Sequence, residues 1–128
     1  MTKKRILIVD DDAALTMAVR LNLEDTEKYE VMVENQSIHA LKTAREFLPH
    51  LIILDVIMPG KDGGDVLAEL KADRALKSVP VIMLTALVSK SDTGSGQVVE
   101  SDKEVMLAKP VDLDVLIQCI EERLSGQL

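Results

Sequence analysis

The chain has 128 residues, enough for one domain that buries about two-thirds of its unfolded surface. Only 2% of them are aromatic, so core packing falls to Leu, Ile, Val and Met. A formal charge of −7 argues against this chain itself gripping nucleic acid or an anionic membrane, and a single cysteine, Cys119, excludes an intrachain disulfide and suits a reducing cytoplasm.

The apolar run Ile6-Leu7-Ile8-Val9 predicts a first strand over residues 5–9, and it runs straight into Asp10-Asp11-Asp12. Lys3-Lys4-Arg5 precedes it, but four apolar residues that meet three acids do not read as a secretion signal, and no stretch reaches a transmembrane length. A first helix is expected from Ala13 to about Glu24, apolar over the wide face Ala14, Leu15, Ala18, Val19 and Leu21. Residues 29–34 carry charge on alternate sides and read as an edge strand. Ser37 is placed to cap a helix burying Ile38, Leu41, Ala44 and Leu48, stopped by Pro49.

A third apolar run, residues 51–54, ends on Asp55. Pro59-Gly60 and Asp62-Gly63 are turn signals, and Asp62 is placed to cap a helix containing Val66, Leu67 and Leu70. A fourth strand, residues 81–84, ends at Thr85-Ala86; a fifth, residues 104–108, ends at Lys109-Pro110. Between them, residues 89–103 are rich in Ser and Gly, with only Val98 and Val99 to anchor them, and are expected to form a short, frayed helix or a mobile loop. Asp112 then caps a last helix with the stripe Leu113, Leu116, Ile117, Ile120 and Leu124.

Strands alternating with helices predict an α/β fold, a doubly wound five-stranded parallel sheet. Ligands of such sheets sit at the carboxyl ends of the strands. Those ends carry Asp10, Asp11, Asp55, Thr85 and Lys109. Crowded carboxylates repel, and a divalent cation or protonation relieves them; hard oxygen ligands of this kind suit Mg²⁺. A carboxylate can also attack a phosphoryl group to form an acyl phosphate, with a metal and a lysine neutralising the oxygens. Each residue has a plainer reading taken singly: the acidic triplet as a turn capping the first helix, Thr85 as a strand-end hydroxyl, Lys109 as a solvated charge, Pro110 as a helix entry. His39 and His50 lack ligand spacing and read as structural, and Cys119 as packing.

Taken in order, Ile8-Val9-Asp10-Asp11-Asp12, Leu54-Asp55-Val56-Ile57-Met58-Pro59-Gly60-Lys61-Asp62-Gly63, Met83-Leu84-Thr85-Ala86 and Ala108-Lys109-Pro110 resemble the receiver domain of two-component response regulators over nearly the whole length. The resemblance implies a flavodoxin-like fold with strand order 2-1-3-4-5, as one receiver domain over residues 1–128 with a structured core of about 3–125. It implies Asp55 as phosphoacceptor from a partner's phosphohistidine, and Asp10, Asp11, Asp55 and the Ile57 backbone carbonyl as ligands of Mg²⁺ or Mn²⁺. Thr85 and Lys109 would bind phosphoryl oxygens, Asp12 would take no ligand role, and the Lys109-Pro110 peptide is often cis in the family. The expected partners are a sensor histidine kinase or phosphotransfer protein and an output partner or appended effector domain, in the cytoplasm, with a homodimer possible. No direct nucleic-acid or membrane binding is expected.

Two departures from the family pattern bear on switching. Met106 stands where the family commonly has Tyr or Phe, and residues 89–103 form a weak fourth helix, expected to be short or disordered. Ile57 and Leu87, both apolar where the family tunes water access, predict slow self-dephosphorylation. The expected role is a switch that assists only its own phosphorylation and dephosphorylation, not a turnover enzyme. The rivals are a phosphorylation-independent interaction module and an aspartyl-phosphate phosphohydrolase, the latter opposed by Val56 and Ile57, which leave no acid just after Asp55. Ser125-Gly126-Gln127-Leu128 reads equally as an end or as the start of a linker.

Overall fold

The computed structural model describes residues 2–86, 98–100 and 104–125. In chain order the elements are β1 (Lys4–Val9), α1 (Ala13–Asp25), β2 (Tyr29–Glu34), a 3₁₀ turn (Ser37–His39), α2 (Ala40–Phe47), β3 (Leu51–Asp55), α3 (Gly63–Ala72), β4 (Val81–Thr85), β5 (Val98–Glu100), β6 (Val105–Ala108) and α4 (Leu113–Ser125). The five predicted strands are all present and parallel, in the spatial order expected for them, with β2 at one edge. A sixth strand is added at the other edge: β5 runs antiparallel to β6, pairing Val98 with Leu107 and Glu100 with Val105. Three residues expected to be helix or loop are therefore strand; the rest of segment 89–103, and Leu87, lie outside the described residues.

Strand side chains alternate between faces, and the two faces feed two cores. Ile6 and Ile8 of β1, Leu51 and Ile53 of β3, and Ile82 and Leu84 of β4 pack with Val19 and Leu23 of α1 and Leu116 and Ile120 of α4. Leu7, Val9, Ile52, Leu54, Val81 and Met83 face the other way, onto Ala40 and Ala44 of α2 and Val66 and Leu70 of α3. Burial on both sides explains why β1, β3 and β4 are continuously apolar. Cys119 is buried in the α4 face of the core.

The helices follow their expected bounds more closely than their expected faces. Asp62 caps α3 by accepting from the Asp65 N–H at 2.8 Å, and Asp112 caps α4 through the Asp114 and Val115 N–H groups. α1 buries Thr16, Val19 and Leu23, whereas Ala14, Ala18 and Leu21 lie outside. The wide apolar surface of α1 carried no phase, and Thr16 enters the interior because its hydroxyl bonds the Ala13 carbonyl. Ser37 does not cap α2; it opens the 3₁₀ turn, and Ile38 and Leu48 are exposed, Leu48 ending the helix in the left-handed conformation at φ 53°. His50 is structural: its Nδ1 accepts the Arg5 N–H at 2.9 Å, while the Arg5 guanidinium covers the Phe47 and Leu48 carbonyls at the end of α2.

Candidate functional site

The parallel register brings the predicted strand-end residues to one edge. Val9 lies beside Leu54, Asp55 beside Leu84, and Thr85 beside Ala108, so Asp10, Asp55, Thr85 and Lys109 follow one another across the sheet. Asp10, Asp55 and Thr85 are buried, Asp11 is exposed and Lys109 half-buried. Asp10, Asp11 and Asp55 each offer an oxygen within 4.8 Å of the others. The Lys109 ammonium lies 3.0 Å from Asp10 and 3.1 Å from Asp55. The Lys109-Pro110 peptide is cis, and the Lys109 N–H donates to the Thr85 carbonyl at 3.0 Å.

The acidic triplet divides its labour. Asp12 caps α1, accepting from the Leu15 N–H at 3.1 Å, as the plainer sequence reading had it. Asp10 is turned inward, with Oδ1 accepting from the Asp12 N–H at 2.9 Å. Its Oδ2 is buried and accepts no hydrogen bond of ordinary geometry among the described residues. An ammonium is its only close compensation there.

Three carboxylates against one ammonium leave the cluster with an excess of negative charge. Burial foremost, then the neighbouring Asp10 charge, raises the Asp55 pKa above its ordinary value, although Lys109 and the Ile57 N–H pull the other way. Burial would lower the Lys109 pKa, but the Asp10 and Asp55 carboxylates outweigh it and raise it, so the amine stays protonated. A buried carboxylate oxygen matched only by one shared ammonium, two further carboxylates and surplus charge form a hard-oxygen donor set that fits a divalent cation. Asp10, Asp11 and Asp55 are the residues that could hold it.

The β3–α3 loop, residues 56–62, is anchored by hydrogen bonds at Val56, Pro59 and Lys61. The Gly63 N–H donates to the Val56 carbonyl at 2.7 Å, and a Cβ on Gly63 would lie 2.4 Å from the Asp55 carbonyl oxygen, so only glycine fits. Gly60, at φ 86°, carries the turn. The Ile57 side chain is 56% exposed, while Met106 packs half-buried beside Met83 in the core on the α3 side. On the flank of the cluster, Asp12, Leu15, Lys109, Pro110 and Val111 line a shallow depression of about 420 Å³.

Two contributors were not foreseen. The Asn35 amide donates to the Asp10 carbonyl at 2.7 Å and to the Thr16 hydroxyl at 3.1 Å. The Ser37 hydroxyl donates to the Pro59 carbonyl at 2.8 Å and accepts from the Lys61 N–H at 3.0 Å. Short polar residues after a strand signal only a turn or a cap, and no spacing rule points them at other loops.

Fold and pocket together define a flavodoxin-like α/β domain with an acidic, cation-compatible site at its strand ends. The chain belongs to the response regulator receiver domain family, whose model matches residues 6–121. It is similar to the response regulator PleD of Caulobacter vibrioides, 40% identical over 113 residues that cover 88% of this chain and 24% of that protein. It is also similar to the DNA-binding response regulator MtrA of Mycobacterium tuberculosis, 35% identical over 95% of this chain and 51% of that protein. The chain thus spans about a quarter to a half of the length of these relatives. Among solved structures, the signal receiver domain of a signal transduction histidine kinase from Syntrophus aciditrophicus superposes with a TM-score of 0.77 at 29% identity, over 96% of this chain and 91% of that one. The domain is a regulatory module of two-component signalling. No helix among the described residues is long and apolar enough to cross a membrane.

Proposed function

We propose that this receiver accepts a phosphoryl group onto Asp55 from the phosphohistidine of a sensor histidine kinase or phosphotransfer protein. The observation that carries the proposal is the buried Asp55 carboxylate, drawn against Lys109 at 3.1 Å beside Asp10 and Asp11. An Asp55 oxygen attacks phosphorus as the P–N bond to the partner's imidazole breaks; the imidazole leaves with the bonding pair as the neutral ring and the acyl phosphate forms. Asp10, Asp11, Asp55 and the Ile57 backbone carbonyl are assigned to Mg²⁺ or Mn²⁺, which when bound neutralises phosphoryl oxygens. Lys109 holds Asp55 ionised against the burial that favours its neutral form, then pairs with a phosphoryl oxygen once charge moves there. Thr85 donates its hydroxyl to another such oxygen.

The acyl phosphate is long-lived in this reading, because the apolar Ile57 side chain positions no water for its hydrolysis. The domain, with a core of about residues 3–125, does no chemistry beyond its own phosphorylation and dephosphorylation. It passes the signal in the cytoplasm to an output partner or appended effector, and the acidic chain itself makes no nucleic-acid contact. Intact-mass spectrometry after incubation with acetyl phosphate and Mg²⁺ tests this. One added phosphoryl group is expected, absent without metal and in Asp55→Asn; no mass gain in folded, metal-binding protein leaves only a receiver specific to its kinase and favours the phosphorylation-independent interaction module.

A further inference from the structure

The turn between β2 and α2 supplies none of the pocket's charged groups, yet it holds both halves of the pocket in place. Glu34 accepts the Asp10 N–H at 3.1 Å through its carbonyl, and Asn35 binds the Asp10 carbonyl, so the residue bearing the most buried carboxylate is fixed on both backbone sides. Two residues on, the Ser37 side chain is buried and both donates to and accepts from the β3–α3 loop. Those two bonds bracket Gly60, which turns at φ 86°; a Cβ there would come within 3.1 Å of Ile38 Cγ2. The loop follows directly on Asp55 and includes Ile57.

An ordinary turn stabilises itself or caps the helix it opens. Here neither the 3₁₀ turn nor α2 has a side-chain cap, although Ser37 stands at the start and serine is a favoured capping residue. Its hydroxyl is used across the sheet edge instead, at the cost of the cap. We propose that Ser37, with Asn35, is a positioning residue that sets the separation of the Asp10–Asp11 loop from the Asp55–Ile57 loop, and thereby the affinity for the divalent cation. The inference rests on the metal assignment made for the acidic cluster. Groups that orient metal ligands typically change affinity by about 10- to 100-fold, and an effect passed through backbone falls at the low end.

Calorimetric titration of Mg²⁺ into the full chain tests it, alongside metal-free urea unfolding to verify that each variant is folded. Ser37→Ala is expected to weaken Mg²⁺ binding about tenfold, while Ser37→Thr, which keeps the hydroxyl, stays within about twofold of the parent. Should alanine unfold the chain, Ser37→Cys keeps the size with poorer hydrogen bonding and is expected to weaken binding in the same direction. An unchanged affinity in Ser37→Ala, or an equal loss in Ser37→Thr, overturns the proposal. Acetyl phosphate labelling of the parent chain separates the two readings. Labelling with normal Mg²⁺ affinity in Ser37→Ala removes the positioning role and leaves the phosphoacceptor. Mg²⁺ binding without labelling counts against the phosphoacceptor and leaves the affinities to decide on Ser37.

Discussion

Asp55 is the residue on which folding and function conflict. Its pKa is raised in the folded chain, so the stability it contributes is present below its ordinary value of 3.8 and lost as pH rises through the folded value. At neutral pH without metal the ionised carboxylate is therefore a liability. Asp55→Asn is expected to raise metal-free stability near pH 7 in urea unfolding, the gain vanishing below about pH 4 and shrinking when Mg²⁺ is added. A destabilised Asn variant would show that the Lys109 pair outweighs burial. His50 has the opposite sign of dependence. Burial first, then the Arg5 and Lys4 charges, lower its pKa from 6.5, so the unfolded chain takes up a proton before the folded one. Stability is expected to fall as pH drops below about 6.5, as the imidazole loses its capacity to accept the Arg5 N–H. His50→Gln, which keeps an acceptor that does not titrate, should flatten that part of the urea-midpoint profile.

At the scale of elements, what was legible depended on whether a residue's neighbours lie nearby in the chain. Continuous apolar runs announced β1, β3 and β4, and Asp62 and Asp112 announced the starts of α3 and α4, because caps and strands are local. The phase of α1 was not legible: with Ala14, Leu15, Ala18, Val19 and Leu21 around most of its circumference, nothing in the pattern marked Thr16 and Leu23 as inward. Strand β5 was hidden for a related reason. Two β-branched residues amid Ser and Gly are too short a run to distinguish from a loop, and only pairing with β6 defines them. The β3–α3 loop is the element most intolerant of change. Gly63→Ala places a methyl group against the Asp55 carbonyl oxygen and Val56 Cα, both backbone atoms. A loss of about 2 kcal/mol or more is expected in urea unfolding, together with weaker Mg²⁺ binding. Unchanged stability would mean the loop yields freely, contrary to its three anchors at Val56, Pro59 and Lys61.

Over the whole molecule, two cores of opposite face clamp one sheet whose carboxyl edge concentrates negative charge. Order along the chain sufficed to read which residues gather there, because the ends of β1, β3, β4 and β6 each add one or more to the same edge. The supporting bonds from Asn35 and Ser37 depended on the distance between loops, which sequence does not carry. A ligand that binds only the folded state stabilises it, so Mg²⁺ at a hundredfold excess over its Kd should add about 2.7 kcal/mol, removable with a chelator. Asp10→Asn should abolish most of that gain, measured as the Mg²⁺-dependent rise in Tm. The central claim, that Asp55 carries the phosphoryl group, is tested most directly by trapping it. Borohydride reduces an aspartyl phosphate to homoserine, and peptide mapping locates the product. After acetyl phosphate and Mg²⁺, homoserine is predicted at position 55 alone; its appearance at Asp10 or Asp11, or no reduced residue in a chain that has gained a phosphoryl group, would contradict the account.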